Sequence, residues 1–587
     1  MTGPPVSETK TARRMRRMNR LHARLAWLTL AAKGFVSQPE SRAIGNHARG
    51  RQLMAGNLLF AGRLVEAPGV SIWDAPPPDA AFAAEAHGCG WLDDLASAGH
   101  PGARALAQDW VFGWIARHTN GSGPGWTPEL AARRLMRWID HAPFLLIGRD
   151  RQDHRRFFRS LAQQTVFLSR RWKTSAPGLA RCESLTGLVW AGLALMGMER
   201  RAEPAITALA AECETGIDET GGIATRNPED LLEVLVTLNW AVMALAQAGR
   251  ETPAPISAAI ERIAPCLRSL RHADGALARF HGGEAGPEGR LDQALLASGV
   301  RHPARQGLSM GFVRLAGGRS TVIADAAPPP VRAAAGNAHA STLAFELTSG
   351  WRPLIVNCGS GTSFSEDWRR AGRATPSHSA LCIQGLSSAR LVRTGGSEVL
   401  ADGPAEVWME RADGDGEHRV TLSHDGWINT HGLTCFRELA LSLDGRSLGG
   451  EDALVAVSDA DKRMFDFATE GAGVGGIPFS VRFHLHPEAQ PELDLGGNAV
   501  SIGLKSGEVW VFRHGGGVEL SLEPSVYLER GRLKPRPTRQ IVLSGRARDY
   551  STRTSWTLAK ALDTPTHHRD AEIARSALAA EAGEGVT

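Results

Sequence analysis

Tyrosine is almost missing from this chain. Only Tyr527 and Tyr550 occur, against 16 Trp and 18 Phe. A site chemistry that depends on a phenolic hydroxyl therefore has no source outside the C-terminal part. Cysteine is also sparse and unpatterned. The seven, at 89, 182, 213, 266, 358, 382 and 435, are odd in number and form no C-x-x-C. That excludes a disulfide framework and a cysteine-built zinc site, and it leaves small buried hydrophobes as the plain reading. No apolar run reaches the ~18 residues a membrane-spanning helix needs. The formal net charge of +4 is small for 587 residues and gives no reason to expect a nucleic-acid partner.

What is present is globular: 43% of residues are apolar and 22% charged. The length is too great for one ordinary core and predicts two or three domains. The start is basic. Lys10, Arg13, Arg14, Arg16, Arg17, Arg20 and Arg24 surround Met15, Met18, Leu21, Leu25 and Leu28, which recur at helical spacing. This predicts a basic amphipathic helix suited to contact with an anionic membrane surface. The apolar run 25–32 is short for a signal-peptide core, and LAAKGF is a poor cleavage site, so the segment reads as uncleaved.

From about 80 to 310 the apolar spacing is helical. Helices are expected over Ala103–Ile115, Pro128–Ile139, Arg155–Trp172, Leu185–Met196, Pro204–Glu214, Pro228–Ala248 and Pro255–Leu270. Pro128, Pro204, Pro228 and Pro255 fall in first turns, where proline is tolerated, and Thr127 and Asn227 are suitable N-caps. Past about 307 the period becomes two, in short runs such as STLAFELTSG, FSVRFHLHP and RQIVLSG, which predicts an antiparallel β-sandwich. The expected divisions are 1–75, a basic lead-in; 76–306, helical; 307–565, β; and 566–587, a polar tail.

Residues 336–383, GNAHASTLAFELTSGWRPLIVNCGSGTSFSEDWRRAGRATPSHSALCI, place His339, Asn357 and His378 among strands and glycine turns. For any one of these histidines, a satisfied hydrogen bond in a β-core is the plainer reading. Taken together, the His, the LAFEL strand, the strand ending in a polar residue plus Gly, and WRRAGRATPSHSAL resemble the C-terminal β-domain of heparinase II/III-type polysaccharide lyases. The helix-then-strand order over 160–560 is similar too.

The resemblance implies an α+β multidomain fold: an incomplete (α/α) toroid, then an antiparallel β-sandwich. It implies β-elimination on an acidic, uronate-containing polysaccharide or oligosaccharide, and a periplasmic or cell-envelope setting; the uncleaved N-terminus is equally consistent with the cytoplasmic side. No cofactor is required, although the family pattern implies a structural divalent metal held by His339, Asn357 and His378. In the family's pattern Asn337 takes the place of a first His and Asn357 that of an Asp, which weakens the metal set. The toroid segment that carries the family's Asn and His reads here as APGLARCESLTGL, with neither, and the one that carries its Tyr reads as ETGGIATRNPEDLLEVL, with no Tyr.

Basic and polar residues stand in their place. Arg226, Asn227, Arg279 and His281 are the candidates on the helical side for binding and neutralising a carboxylate, with His339 and His378 approaching from the β side. Arg181, Asn337 and Trp126 are candidate substrate contacts; Trp73, Trp91 and Trp138 share the aromatic reading, against which burial in the core is the commoner fate. Capping for Asn227, a solvated turn for Arg279 and His281, and an ion pair for Arg181 and Glu183 are the plainer alternatives. Asp218, Glu219, Glu229 and Asp230 read as helix-end charges, with a hydrolase as the weakest option. The alternative function is a catalytically degenerate glycan-binding or envelope-associated protein on the same scaffold.

Overall fold

Secondary structure changes where the hydrophobic period does, near 307. In a computed structural model, residues 10–37, 45–394, 397–414, 416–472 and 475–561 are described. Apart from one short hairpin, the chain is helical as far as Arg290–Ala297, and it builds mainly antiparallel strands from Leu308 onward. The tail expected over 566–587 lies outside the described residues.

The main helices are Pro101–His118, Pro128–Asp140, Arg151–Arg171, Leu179–Ala194, Ala202–Gly216, Pro228–Gln247 and Ala254–Ser269. Their starts follow local chemistry. Thr127 Oγ1 accepts from the Leu130 amide at 3.4 Å, and Asn227 Oδ1 accepts from Glu229 at 2.9 Å and Asp230 at 3.2 Å. A proline follows each cap, where its missing N–H is not needed. The helix expected from Leu185 starts earlier, at Leu179, because Glu183 and Ser184 are buried along with Cys182. Apolar spacing cannot reveal a turn whose buried face is polar.

Leu179–Ala194 sits centrally, against Pro128–Asp140, Ala202–Gly216 and Pro228–Gln247. The approach is close at Gly187, where an added Cβ would lie 2.6 Å from the Ala132 Cβ. The helices form the incomplete toroid, to which the lead-in adds a hairpin, Asn57–Phe60 with Arg63–Glu66, that sequence reading did not expect.

Two large antiparallel sheets follow. Among the described residues, one has nine strands and includes Ser320–Asp325, Phe345–Ser349, Arg352–Val356 and Ile477–Leu485; the other has eight, with Leu433–Ser442 and Ser551–Lys560 near its centre. Val322, Phe345 and Phe483 from the first meet Val420, Leu439 and Trp556 from the second in one apolar core, the sandwich interior. A further core joins the two lobes: Leu231, Phe280 and Leu267 of the helical side pack with Phe312, Ile323 and Ala344 of the β side. This shared core fixes the relative position of the loops that build the site.

Helix α1, Lys10–Ala26, lies on Arg151–Arg171. Its small face is the buried one, through Asn19, Ala23 and Ala26. Arg171 Nε donates to Asn19 Oδ1 at 2.8 Å, and Gln163 Nε2 donates to the Ala23 carbonyl at 2.9 Å. Met18, Leu21, Leu25 and Leu28 consequently point outward and are exposed. No helix among the described residues is long and apolar enough to cross a membrane.

Candidate functional site at the seam between the lobes

The loop after Ala254–Ser269 carries Arg279 and His281, and the start of Pro228–Gln247 carries Arg226 and Asn227. Both face the β lobe at Asp325, which ends the strand Ser320–Asp325. Arg226 and His281 have left-handed backbones, with φ of 50° and 47°. Such residues cost about 1 kcal/mol or more each and persist where surrounding contacts hold them.

Arg226 is a clamp across the seam. Its guanidinium donates to Asp325 Oδ1 at 2.5 Å and to the carbonyls of Met310 (3.1 Å), Gly311 (2.8 Å), Ala327 (3.1 Å) and Pro328 (2.7 Å). It also lies over the Phe312 ring, 4.7 Å from its centroid. Asp325 Oδ2 accepts from Ser341 Oγ at 2.7 Å and stands 3.5 Å from His281 Nε2. His281 Nδ1 accepts from the His339 amide at 3.2 Å, so the ring proton sits on Nε2, facing Asp325.

His339 and His378 continue the chain. His378 Nδ1 donates to the Ala374 carbonyl at 2.9 Å, which leaves its Nε2 to accept from His339 Nδ1 at 3.1 Å. All three imidazoles are buried. Burial, then the neighbouring Arg226 and His378, hold His281 well below the usual histidine range. Burial and the His378 and His281 rings do the same for His339, and burial lowers His378 to about 4. The seam is therefore a run of neutral imidazoles at physiological pH.

Arg279 is equally enclosed. Its amide donates to Glu346 Oε2 at 2.9 Å, and its Nη2 donates to Glu284 Oε2 at 3.0 Å and the Leu528 carbonyl at 2.6 Å. The guanidinium lies 4.2 Å from the Tyr527 ring centroid. So Arg226, Arg279, His281, His339 and His378 do gather at one seam, and the two cations there each face a buried carboxylate.

Other expected positions fall differently. Asn357 Oδ1 accepts from the Ser379 amide at 3.0 Å, and its Nδ2 donates to Glu346 Oε1 at 3.4 Å. The metal set of His339, Asn357 and His378 does not fit: the two ring nitrogens bond each other, the amide oxygen is occupied, and none of the three side chains is charged. Among the described residues no group of three His, Cys, Asp or Glu is placed to hold an ion. Arg181 donates to Ser175 O at 3.0 Å and pairs with Glu212 at 3.3 Å, bracing its own helix start. Glu183 pairs with Arg133 instead, at 2.9 Å. Trp126 lines no groove: it is buried in the helical core beside Trp114 and Phe167, as are Trp91 and Trp138. Asn227 spends its oxygen on capping, and an added Cβ at Gly283 would come within 2.4 Å of it.

Asn337 does face open space. It lines a cleft of about 420 Å³ with Thr225 and Asp230 from the helical side and Glu366, Arg369, Arg393 and Glu398 from the β side. Sequence reading treated Asp230 as a helix-end charge and passed over Asp325, Glu284 and Glu346. The polar residue closing the alternating run STVIAD was the one available signal for Asp325.

Comparison with known proteins agrees with this architecture. Residues 299–557 match the family model described as heparinase II/III-like, C-terminal. FtsZ-localized protein C of Caulobacter vibrioides is 31% identical over 547 residues, covering 90% of this chain and 91% of that protein. The crystal structure of heparinase III superposes with a TM-score of 0.63 at 12% identity, covering 95% of this chain and 86% of that one. A heparan sulfate lyase HepC mutant from Pedobacter heparinus gives 0.58 at 13% identity, over 94% and 89%. The chain belongs to the heparinase II/III family.

Proposed function

We propose that this protein is a glycan-binding, envelope-associated member of the family that does not carry out β-elimination on uronates. One observation carries this reading: Arg226 faces Asp325 and Arg279 faces Glu284 inside the seam. Removing the proton beside a uronate carboxylate requires that carboxylate to be neutralised by a cation or strong donors. Here both guanidiniums are already matched by buried carboxylates. The competing reading, a lyase acting on acidic glycans, draws support from the gathered His281, His339 and His378. The test is absorbance near 232 nm, where the unsaturated product absorbs, with heparan sulfate, chondroitin sulfate and other uronate polymers. No rise is expected; a rise that His378→Ala abolishes would establish the lyase reading instead.

The outward stripe of α1 supports a second element of function, contact with an anionic membrane surface. Arginines flank exposed Met18, Leu21 and Leu25, with exposed Leu28 just past the helix end, the arrangement of a helix that lies in a lipid interface. The relative from Caulobacter vibrioides is named for its localization with FtsZ, and the same placement is proposed for this chain. Sedimentation with vesicles rich in anionic lipid, and separately with FtsZ polymers, tests the two contacts. Recovery in the supernatant in both assays would refute them.

A further inference from the structure

We infer that the cleft beside the histidine seam is a binding site for an uncharged, hydroxyl- and amide-bearing oligosaccharide, with Asp230 as its principal acceptor. This rests on the glycan-binding reading and narrows its ligand to a class opposite in charge character to the acidic glycans first expected.

The geometry of the cleft carries the inference. Its wall holds three carboxylates, Asp230, Glu366 and Glu398, against two guanidiniums, Arg369 and Arg393. Each guanidinium has a glutamate beside it. Arg369 Nη1 donates to Glu366 Oε1 at 2.9 Å, and its Nη2 donates to the Gly336 carbonyl at 2.7 Å. Glu398 takes Arg370 Nε at 2.8 Å and stands 4.0 Å from Arg393. A sulfated or uronate sugar entering here would meet the carboxylate of Asp230, which no arginine binds directly, beside guanidiniums that already have glutamate neighbours. An uncharged sugar meets a dense set of donors and acceptors held in place by those same ion pairs, the lining expected of a saccharide site. At about 420 Å³ the cleft also falls within the usual range for small-ligand sites.

Asp230 differs from the other two carboxylates because no arginine binds it directly. Its described side-chain partner is Thr225 Oγ1, at 3.2 Å. Burial raises its pKa to about 6; Glu229 and Glu183 push the same way, while the Thr225 hydroxyl and Arg530 oppose them. Across the cleft it faces Glu366, Arg369, Arg393 and Glu398. Ionised, it accepts charge-assisted bonds from two sugar hydroxyls; protonated, it loses part of that capacity.

The experiment is calorimetric titration of the full chain with a neutral N-acetylhexosamine tetrasaccharide and with a sulfated uronate tetrasaccharide, at pH 5.0 and 7.5. The neutral probe should bind, at least threefold more tightly at pH 7.5, and the sulfated probe at least tenfold more weakly. Asp230→Asn should bind the neutral probe weakly and equally at both pH values. Arg393→Ala, a change at a side chain two-thirds exposed, should also weaken it. Tighter binding of the sulfated probe would overturn the ligand class while leaving glycan binding intact. Neutral binding indifferent to both substitutions would overturn the site. If neither probe binds at millimolar concentration, the glycan-binding reading fails and this inference with it.

Discussion

Asp325 shows how much one side chain can organise. It is fully buried, holds the Arg226 clamp and Ser341, and faces the protonated nitrogen of His281. Replacing it with Ala would strand a buried guanidinium, and breaking one side of such a pair costs about 3–5 kcal/mol. Urea unfolding of Asp325→Ala should show a loss of that size. Adding Arg226→Met removes the stranded charge, so the double variant should recover a large part of the loss; recovery of none would show that Asp325 acts through something other than this pair. The cross-lobe role of Arg226 was not legible in the sequence, since its partners lie about a hundred positions away and four of its acceptors are bare carbonyls. His339 and His378 were legible as a pair because a strand pattern and two glycine turns frame them. That their nitrogens bond each other depends on a backbone contact, Ala374 to His378, that no spacing rule encodes.

At the scale of elements, helix positions were readable wherever apolar spacing and N1 prolines coincided, as at Pro128 and Pro228. The spacing also marked α1 as amphipathic, but could not tell which face packs. Ala23 and Ala26 allow close approach to Arg151–Arg171, so the Leu stripe is left outside. This makes a clean separation of roles testable. Leu21→Glu with Leu25→Glu changes residues 48% and 44% exposed, so the melting temperature should move by no more than about 2 °C, whereas vesicle binding should fall at least tenfold. A large drop in melting temperature would show instead that the stripe is packing surface. The opposite behaviour is expected at Gly187. An added methyl would press on Ala132 at 2.6 Å, so Gly187→Ala should destabilise by about 1–3 kcal/mol in denaturant unfolding without affecting vesicle binding.

The whole molecule gathers many buried neutral imidazoles, and this sets its response to acid. Burial lowers His378, His424 and His486 to about 4, and His87 and His484 to about 3. Each binds a proton readily once unfolded, near pH 6.5, yet resists one when folded. Below pH 6.5 the unfolded chain therefore takes up more protons than the folded one, and stability falls as pH falls, until the folded values near 4 and 3 are reached. Each such histidine contributes a slope of up to about 1.4 kcal/mol per pH unit in that window. Asp230 works against them: its folded value is raised, so it binds a proton in the folded state first and favours folding as pH drops from about 6 toward the ordinary carboxylate range. One group of that sign cannot offset several of the other. Denaturant midpoints should hold near neutrality and decline steeply between pH 6.5 and 4, with the seam failing as part of the shared inter-lobe core. His378→Gln, which keeps an amide able to reach the Ala374 carbonyl, removes one of these uptake sites and should flatten the decline by about one proton. An unchanged slope would mean that His378 is already protonated in the folded protein, and the neutral imidazole chain drawn here would have to be replaced by a charged one balanced by Asp325.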